Sequence, residues 1–194
     1  KEIADDHFFY ERSCIRQTFF PGSEAAFLRI MRDVLHKDIY DEENAHTCTG
    51  IGYHSDFVPL ETTMTVVARL FSLMKEKGYT NYVPSCVTSF GIFSEMIDMW
   101  QHDPELLEKT RENLRKATGR EFEMPTNLAH PSDIIYKFRE ELKQHMKYQL
   151  VNRFTGKPLR VVEHVGCHYA KIFPERGIVN AEFPYVLAGI IESW

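Results

Sequence analysis

Residues 79–100 read YTNYVPSCVTSFGIFSEMIDMW, and this stretch decides the fold. Its first part, through Ser85, is a short run rich in Tyr, Thr and Val and reads as a strand. From Cys86 onward Phe90, Phe93, Ile97 and Trp100 recur at helical spacing, so a helix follows at once. A strand that feeds directly into a helix is half of a βαβ unit, and repeated units of that kind build a parallel sheet flanked by helices.

The same alternation extends in both directions. Towards the N-terminus, residues 7–13 (HFFYERS) form an aromatic strand, and Pro21-Gly22-Ser23 opens a helix with Phe27, Ile30, Met31, Val34 and Leu35 on one face. A short strand is expected at residues 44–47, and Thr62 starts a helix carrying Met64, Val67, Ala68, Phe71 and Met74 until Gly78 stops it. Towards the C-terminus, Asp103-Pro104 supplies the cap and first residue of a charged helix ending near Gly119, a solvated outer helix to which no function is given. Ser132 caps another helix through Ile134, Ile135, Phe138 and Leu142. A turn at residues 155–158 then delivers the chain into LRVVEHV (159–165), the best strand in the sequence, and a last helix presents Val186, Leu187, Ile190 and Ile191. The expected fold class is α/β, a parallel sheet with helices on both faces.

Composition sets the outer bounds. With 194 residues, 43% of them apolar and 26% charged, the chain can bury a core without disulfide staples, and disorder or a coiled coil is excluded. A net charge of -5 leaves no footprint for a phosphate backbone, so nucleic acid is not an expected partner. There is no apolar run of the roughly 18 to 20 residues that crosses a bilayer, and residues 1–6 are charged where a signal peptide would be apolar; a soluble, cytoplasmic protein without a membrane span is expected. The chain does not open on Met and stops at Trp194 within an uncapped amphipathic pattern, which reads as a fragment or the ordered part of a longer protein.

The four cysteines carry the chemistry. Cys14, Cys48, Cys86 and Cys167 form no C-x-x-C pair, and a buried apolar role is the ordinary one for an isolated thiol. Each, however, follows the C-terminal end of an expected strand. Open α/β sheets bind ligands in the crevice beyond those ends, so thiols distant in sequence would converge there as soft ligands for zinc or an iron-sulfur cluster. Gly50 to Ser55 (GIGYHS) is one residue short of a dinucleotide fingerprint and lacks its acidic partner, and no G-x-S-x-G elbow supports a hydrolase.

Cys14, then Cys48-Thr49-Gly50, then Cys86-Val87-Thr88-Ser89 resembles the cysteine-rich CCG domain of the heterodisulfide reductase B-type subunit family, with 33 residues between Cys14 and Cys48 and 35 between Gly50 and Cys86. His164-Val165-Gly166-Cys167-His168-Tyr169 resembles the opening of that family's second CCG domain. The resemblance implies a first CCG-like domain with a helical extension over residues 1–157 and the start of a second over 158–194. Thr49 and Ser89 stand where two of the family's five thiols belong, so the first motif is degenerate. The implied ligands are Cys14, Cys48 and Cys86 for a smaller iron-sulfur cluster or zinc, with His54 or Ser89 as a fourth, and Cys167 for a non-cubane 4Fe-4S cluster in the second site, where it would be catalytic. The implied function is electron transfer and disulfide reduction alongside flavin-containing A-type and ferredoxin-like C-type subunits, on a thiol or disulfide substrate, with the sulfur-oxidising branch favoured. The alternative is a zinc-bound structural and docking role in such a complex. Cys167 is expected apart from the other three.

Overall fold

The computed structural model describes residues 2–45, 50–148, 151–170 and 185–194. In chain order the elements are β1 (Phe8–Glu11), α1 (Cys14–Phe19), α2 (Pro21–Arg29) continued by a π-helical turn (Ile30–Val34), β2 (Ile39–Asp41), α3 (Gly50–His54) and α4 (Leu60–Glu76). There follow β3 (Asn81–Pro84), α5 (Val87–His102), α6 (Pro104–Thr118), β4 (Asn127–Leu128), α7 (Pro131–Lys137), α8 (Arg139–Gln144), α9 (Cys167–Ala170) and α10 (Val186–Ser193). The strands form one parallel sheet in the order β2-β1-β3-β4, with Glu11 paired to Pro84 at the C-terminal end of β1 and β3. The α/β class with helices on both faces is therefore as expected.

The alternation along β1 explains both layers. Phe8 and Tyr10 point to one face and Phe9 to the other, and all four residues of the strand are buried because both faces are covered. On one face Phe9, Tyr82 and Leu128 meet Met64, Val67 and Phe71 of α4 and Phe90, Phe93 and Ile97 of α5. Aromatic rings carry much of this layer: Phe9 stacks on Tyr82 at 5.3 Å and Phe71 meets Tyr82 edge-on at 5.1 Å. On the other face Phe8, Tyr10 and Val83 meet Phe27 and Met31 of the first helical layer, Ile134 of α7, Leu142 of α8 and Phe138 at the junction between those two helices.

The helix signals of α6 hold: the Asp103 carboxylate accepts from the Leu106 N–H at 3.0 Å, Pro104 is the first helical residue, and Gly119 closes the helix at φ +71°. Three expectations are corrected. Residues 159–165 are not a strand; Val161 and Val162 are exposed, and the sheet position next to β3 belongs to the two-residue β4. The strand expected at 44–47 is replaced by β2 at Ile39–Asp41, with residues 46–47 outside the described ones. The cap of α7 is His130, not Ser132: Pro131 takes the first helical position, the Ser132 N–H donates to His130 Nδ1 at 3.3 Å, and Asp133 Oδ2 accepts the His130 N–H at 2.9 Å. Among the described residues no helix is long and apolar enough to cross a membrane.

Candidate cysteine site

The chain runs from β1 outwards to β2 and then returns to the other side of β1 as β3, so the strand order reverses between β1 and β3. Loops after these two strands diverge to opposite sides and leave a crevice at their C-terminal ends, the usual ligand position in open parallel sheets. Cys14 opens α1 three residues after β1, and Cys86 caps α5 two residues after β3. The two thiols thus stand on the two lips of the reversal crevice, Cys14 exposed and Cys86 half-buried. The Ser85 N–H donates to the Glu11 carbonyl at 3.0 Å, which keeps the strand ends in step up to the residue before Cys86.

The first turns of α5 gather two further segments. A Cβ on Gly50 would stand 2.3 Å from Thr88 Cγ2, so only glycine lets α3 lie this close to α5. From the other side Gly166 lies against Val87, and a Cβ on Gly91 would meet the His168 carbonyl oxygen at 3.0 Å and its Cβ at 3.2 Å. The rings of His54 and His168 stack at 4.5 Å, and His168 Nδ1 is 3.3 Å from the Thr88 hydroxyl. Desolvation and the neighbouring His54 push the His168 pKa down. Behind His168, the Tyr169 hydroxyl donates to buried Asp133 and so pins α9 to the first turn of α7; burial and that carboxylate push the Tyr169 pKa up.

The sequence-derived residues fall as follows. Cys14 and Cys86 occupy the reversal crevice; Cys48 and Thr49 lie outside the described residues. Cys167, expected apart from the others, opens α9, and its neighbours Gly166 and His168 pack on the turns that follow Cys86. Ser89 is buried within α5, whereas His54 is exposed at the end of α3. Among the described residues, no three His, Cys, Asp or Glu side chains stand close enough to hold one metal ion. Glu24 and Asp133, like the buried carboxylates Glu11 and Glu42, have no role in the sequence reading. Glu24 has a readable signal, since it stands three residues before Phe27 on the buried stripe of its helix.

The tight approach at Gly91 gives a direct check on this assembly. Gly91→Ala is expected to lower stability by about 1–3 kcal/mol, because the nearest obstacle is backbone and cannot swing aside. A urea midpoint equal to that of the parent would show that α9 does not rest on α5.

No protein-family model matches the chain. Over its full length it is 25% identical to the B-type subunit of the ferredoxin:CoB-CoM heterodisulfide reductase of Methanosarcina acetivorans, and it spans 62% of that protein. The likeness of this chain to a B-type heterodisulfide reductase subunit is thus a distant one that runs along its whole length.

Proposed function

We propose that the chain is an electron-transfer and disulfide-reducing part of a heterodisulfide reductase-like complex, with iron-sulfur clusters held by its cysteines. The observation that carries the reading is the position of Cys14 and Cys86 on the two lips of the crevice where the strand order reverses. The donor set suits the group: thiolate sulfur selects iron-sulfur clusters or zinc, and Gly50 permits the close approach of α3 to the helix that Cys86 caps. Cys14, Cys48 and Cys86 would hold a smaller cluster or zinc in the first site, and Cys167 would belong to a second, non-cubane 4Fe-4S site that carries the reaction.

A bound cluster would supply the one-electron steps by which a disulfide, two electrons and two protons become two thiols. The chain's own residues do the rest. The ends of β1 and β3 fix the two thiol-bearing loops, and the α5 turn with His168 and Thr88 walls the side of the crevice nearest Cys167. The flavin-containing A-type and ferredoxin-like C-type subunits would be the electron-transfer partners, and the sulfur-oxidising type is the branch favoured by the degenerate first motif.

Anaerobic purification followed by iron, acid-labile sulfide and zinc analysis tests the reading. The expected result is stoichiometric iron and sulfide with broad visible absorbance. A colourless protein containing zinc alone would sink it in favour of the structural, docking role.

A further inference from the structure

A single carboxylate ties together the two segments that lead into the crevice thiols. Glu24, in the first turn of α2, is only 5% exposed although it is a charged residue on an outer helix. Its Oε1 accepts the Ser13 backbone N–H at 2.7 Å, the Ser85 hydroxyl at 2.8 Å and the Tyr10 hydroxyl at 3.4 Å. Ser13 immediately precedes Cys14, and Ser85 immediately precedes Cys86. One oxygen therefore joins the two chain segments that present the crevice thiols, although they are far apart in sequence.

A second tie runs beside the first. Arg16, on the helix that Cys14 opens, donates from Nη1 to the Ser85 carbonyl at 3.4 Å, and its Nε donates to the Ser23 hydroxyl at 3.1 Å on the helix that bears Glu24. The Ser13 hydroxyl, in turn, accepts the Arg16 N–H and caps α1. Removing the carboxylate would leave a buried N–H and two buried hydroxyls without this acceptor, and each segment would turn to find another. The loss would fall on the spacing of the thiols before it fell on the core, because Tyr10, Phe27 and Met31 keep their apolar contacts.

We propose that Glu24 is a positioning residue that holds the Ser13-Cys14 and Ser85-Cys86 segments at a fixed separation across the crevice. This rests on the reading of Cys14 and Cys86 as members of one ligand set. Glu24 itself touches no reacting group; it acts through the residues before the thiols.

The test uses the chain carrying Cys48→Ser and Cys167→Ser, so that Cys14 and Cys86 are the thiols left. Dibromobimane, which fluoresces only after alkylating two thiols, reports their juxtaposition without any metal, and monobromobimane reports the accessibility of each. Glu24→Ala is expected to slow cross-linking by about ten-fold while monofunctional labelling stays within about two-fold, since only relative placement is lost. Glu24→Gln, whose amide oxygen accepts the same donors, is expected to restore the parent rate. Cross-linking at the parent rate in a Glu24→Ala protein with native circular dichroism, or a parent that does not cross-link, would overturn the proposal. If Glu24→Ala does not fold, Ser85→Ala decides, with slowing of about three-fold expected and an unchanged rate fatal. Iron analysis of the unsubstituted chain is read separately. Absence of iron together with Glu24-dependent cross-linking would remove the cluster reading and leave the clamp standing; bound iron with Glu24-independent cross-linking would do the reverse.

Discussion

Lowering the pH from 7 to 4 is expected to remove up to about 3 kcal/mol of stability through His130 alone. Part of the residue's surface is open, but its ring is packed between Tyr169 at 5.3 Å and Phe90 at 6.3 Å. Burial, and next the charge of Arg16, push its pKa down to about 3, against a backbone hydrogen bond to Ser85 that acts the other way. The neutral tautomer follows from the cap: Nδ1 accepts the Ser132 N–H, so the proton sits on Nε2. In the unfolded chain the imidazole titrates at about 6.5. Between that value and about 3 the unfolded state therefore binds a proton that the folded state does not, and stability falls as pH falls through this window. Above it the contribution is complete. Carboxylates held below their ordinary range, such as Glu42 with its backbone and side-chain donors from Asn44, add their own acid sensitivity, so the comparison must be with a variant. His130→Asn keeps a capping acceptor and cannot charge. Urea unfolding at pH 7, 5.5 and 4 should give curves for parent and variant that converge as the pH drops; parallel curves would remove His130 from the account.

What was legible in the sequence was whatever is decided locally. Phe90, Phe93, Ile97 and Trp100 lie on a helix because their spacing admits little else, and Asp103-Pro104 with Gly119 marks both ends of α6 by stereochemistry that needs no tertiary partner. The strand expected at 159–165 is absent for the opposite reason. Its β propensity states only that Val161 and Val162 would suit a paired, half-buried surface; the sheet already has Asn127 and Leu128 beside β3, and Val162 stays 94% exposed. β4 itself has two residues and β2 three, too short for an alternating pattern to register. At α7 the preference for serine as a cap competes with a better clue, proline, which sets the cap at the residue before it. The crevice follows from strand ends, but its lips require the strand order, which no local pattern contains: only the pairing of β1 with both β2 and β3 puts Cys14 opposite Cys86. Glu24 shows the same limit at one residue, since a glutamate on a buried stripe signals a partner without saying which one.

Serine substitution of single cysteines should separate two ligand sets. Cys86→Ser is expected to remove most of the metal of the first site, because the hydroxyl is a far poorer ligand for iron or zinc than thiolate and Cys86 occupies one lip of the crevice. Cys167→Ser is expected to leave that metal in place and to lower disulfide or thiol turnover by at least about a hundred-fold in the assembled complex. Cys14, Cys86 and Cys167 do not form a three-ligand group among the described residues, even though Gly166 and His168 hold Cys167's helix against the turns that follow Cys86. The same packing makes the alternative concrete: α9, which Cys167 opens, is pinned through Tyr169 to Asp133 and by His168 to Thr88 on the helix that Cys86 caps. Metal analysis decides between them without reference to turnover. Equal loss of iron in Cys86→Ser and Cys167→Ser would mean one shared site, with α9 as its closing wall, and would end the reading of residue 167 as the first ligand of a second domain. Retained iron with lost turnover would keep the two sites apart and give the reaction to Cys167.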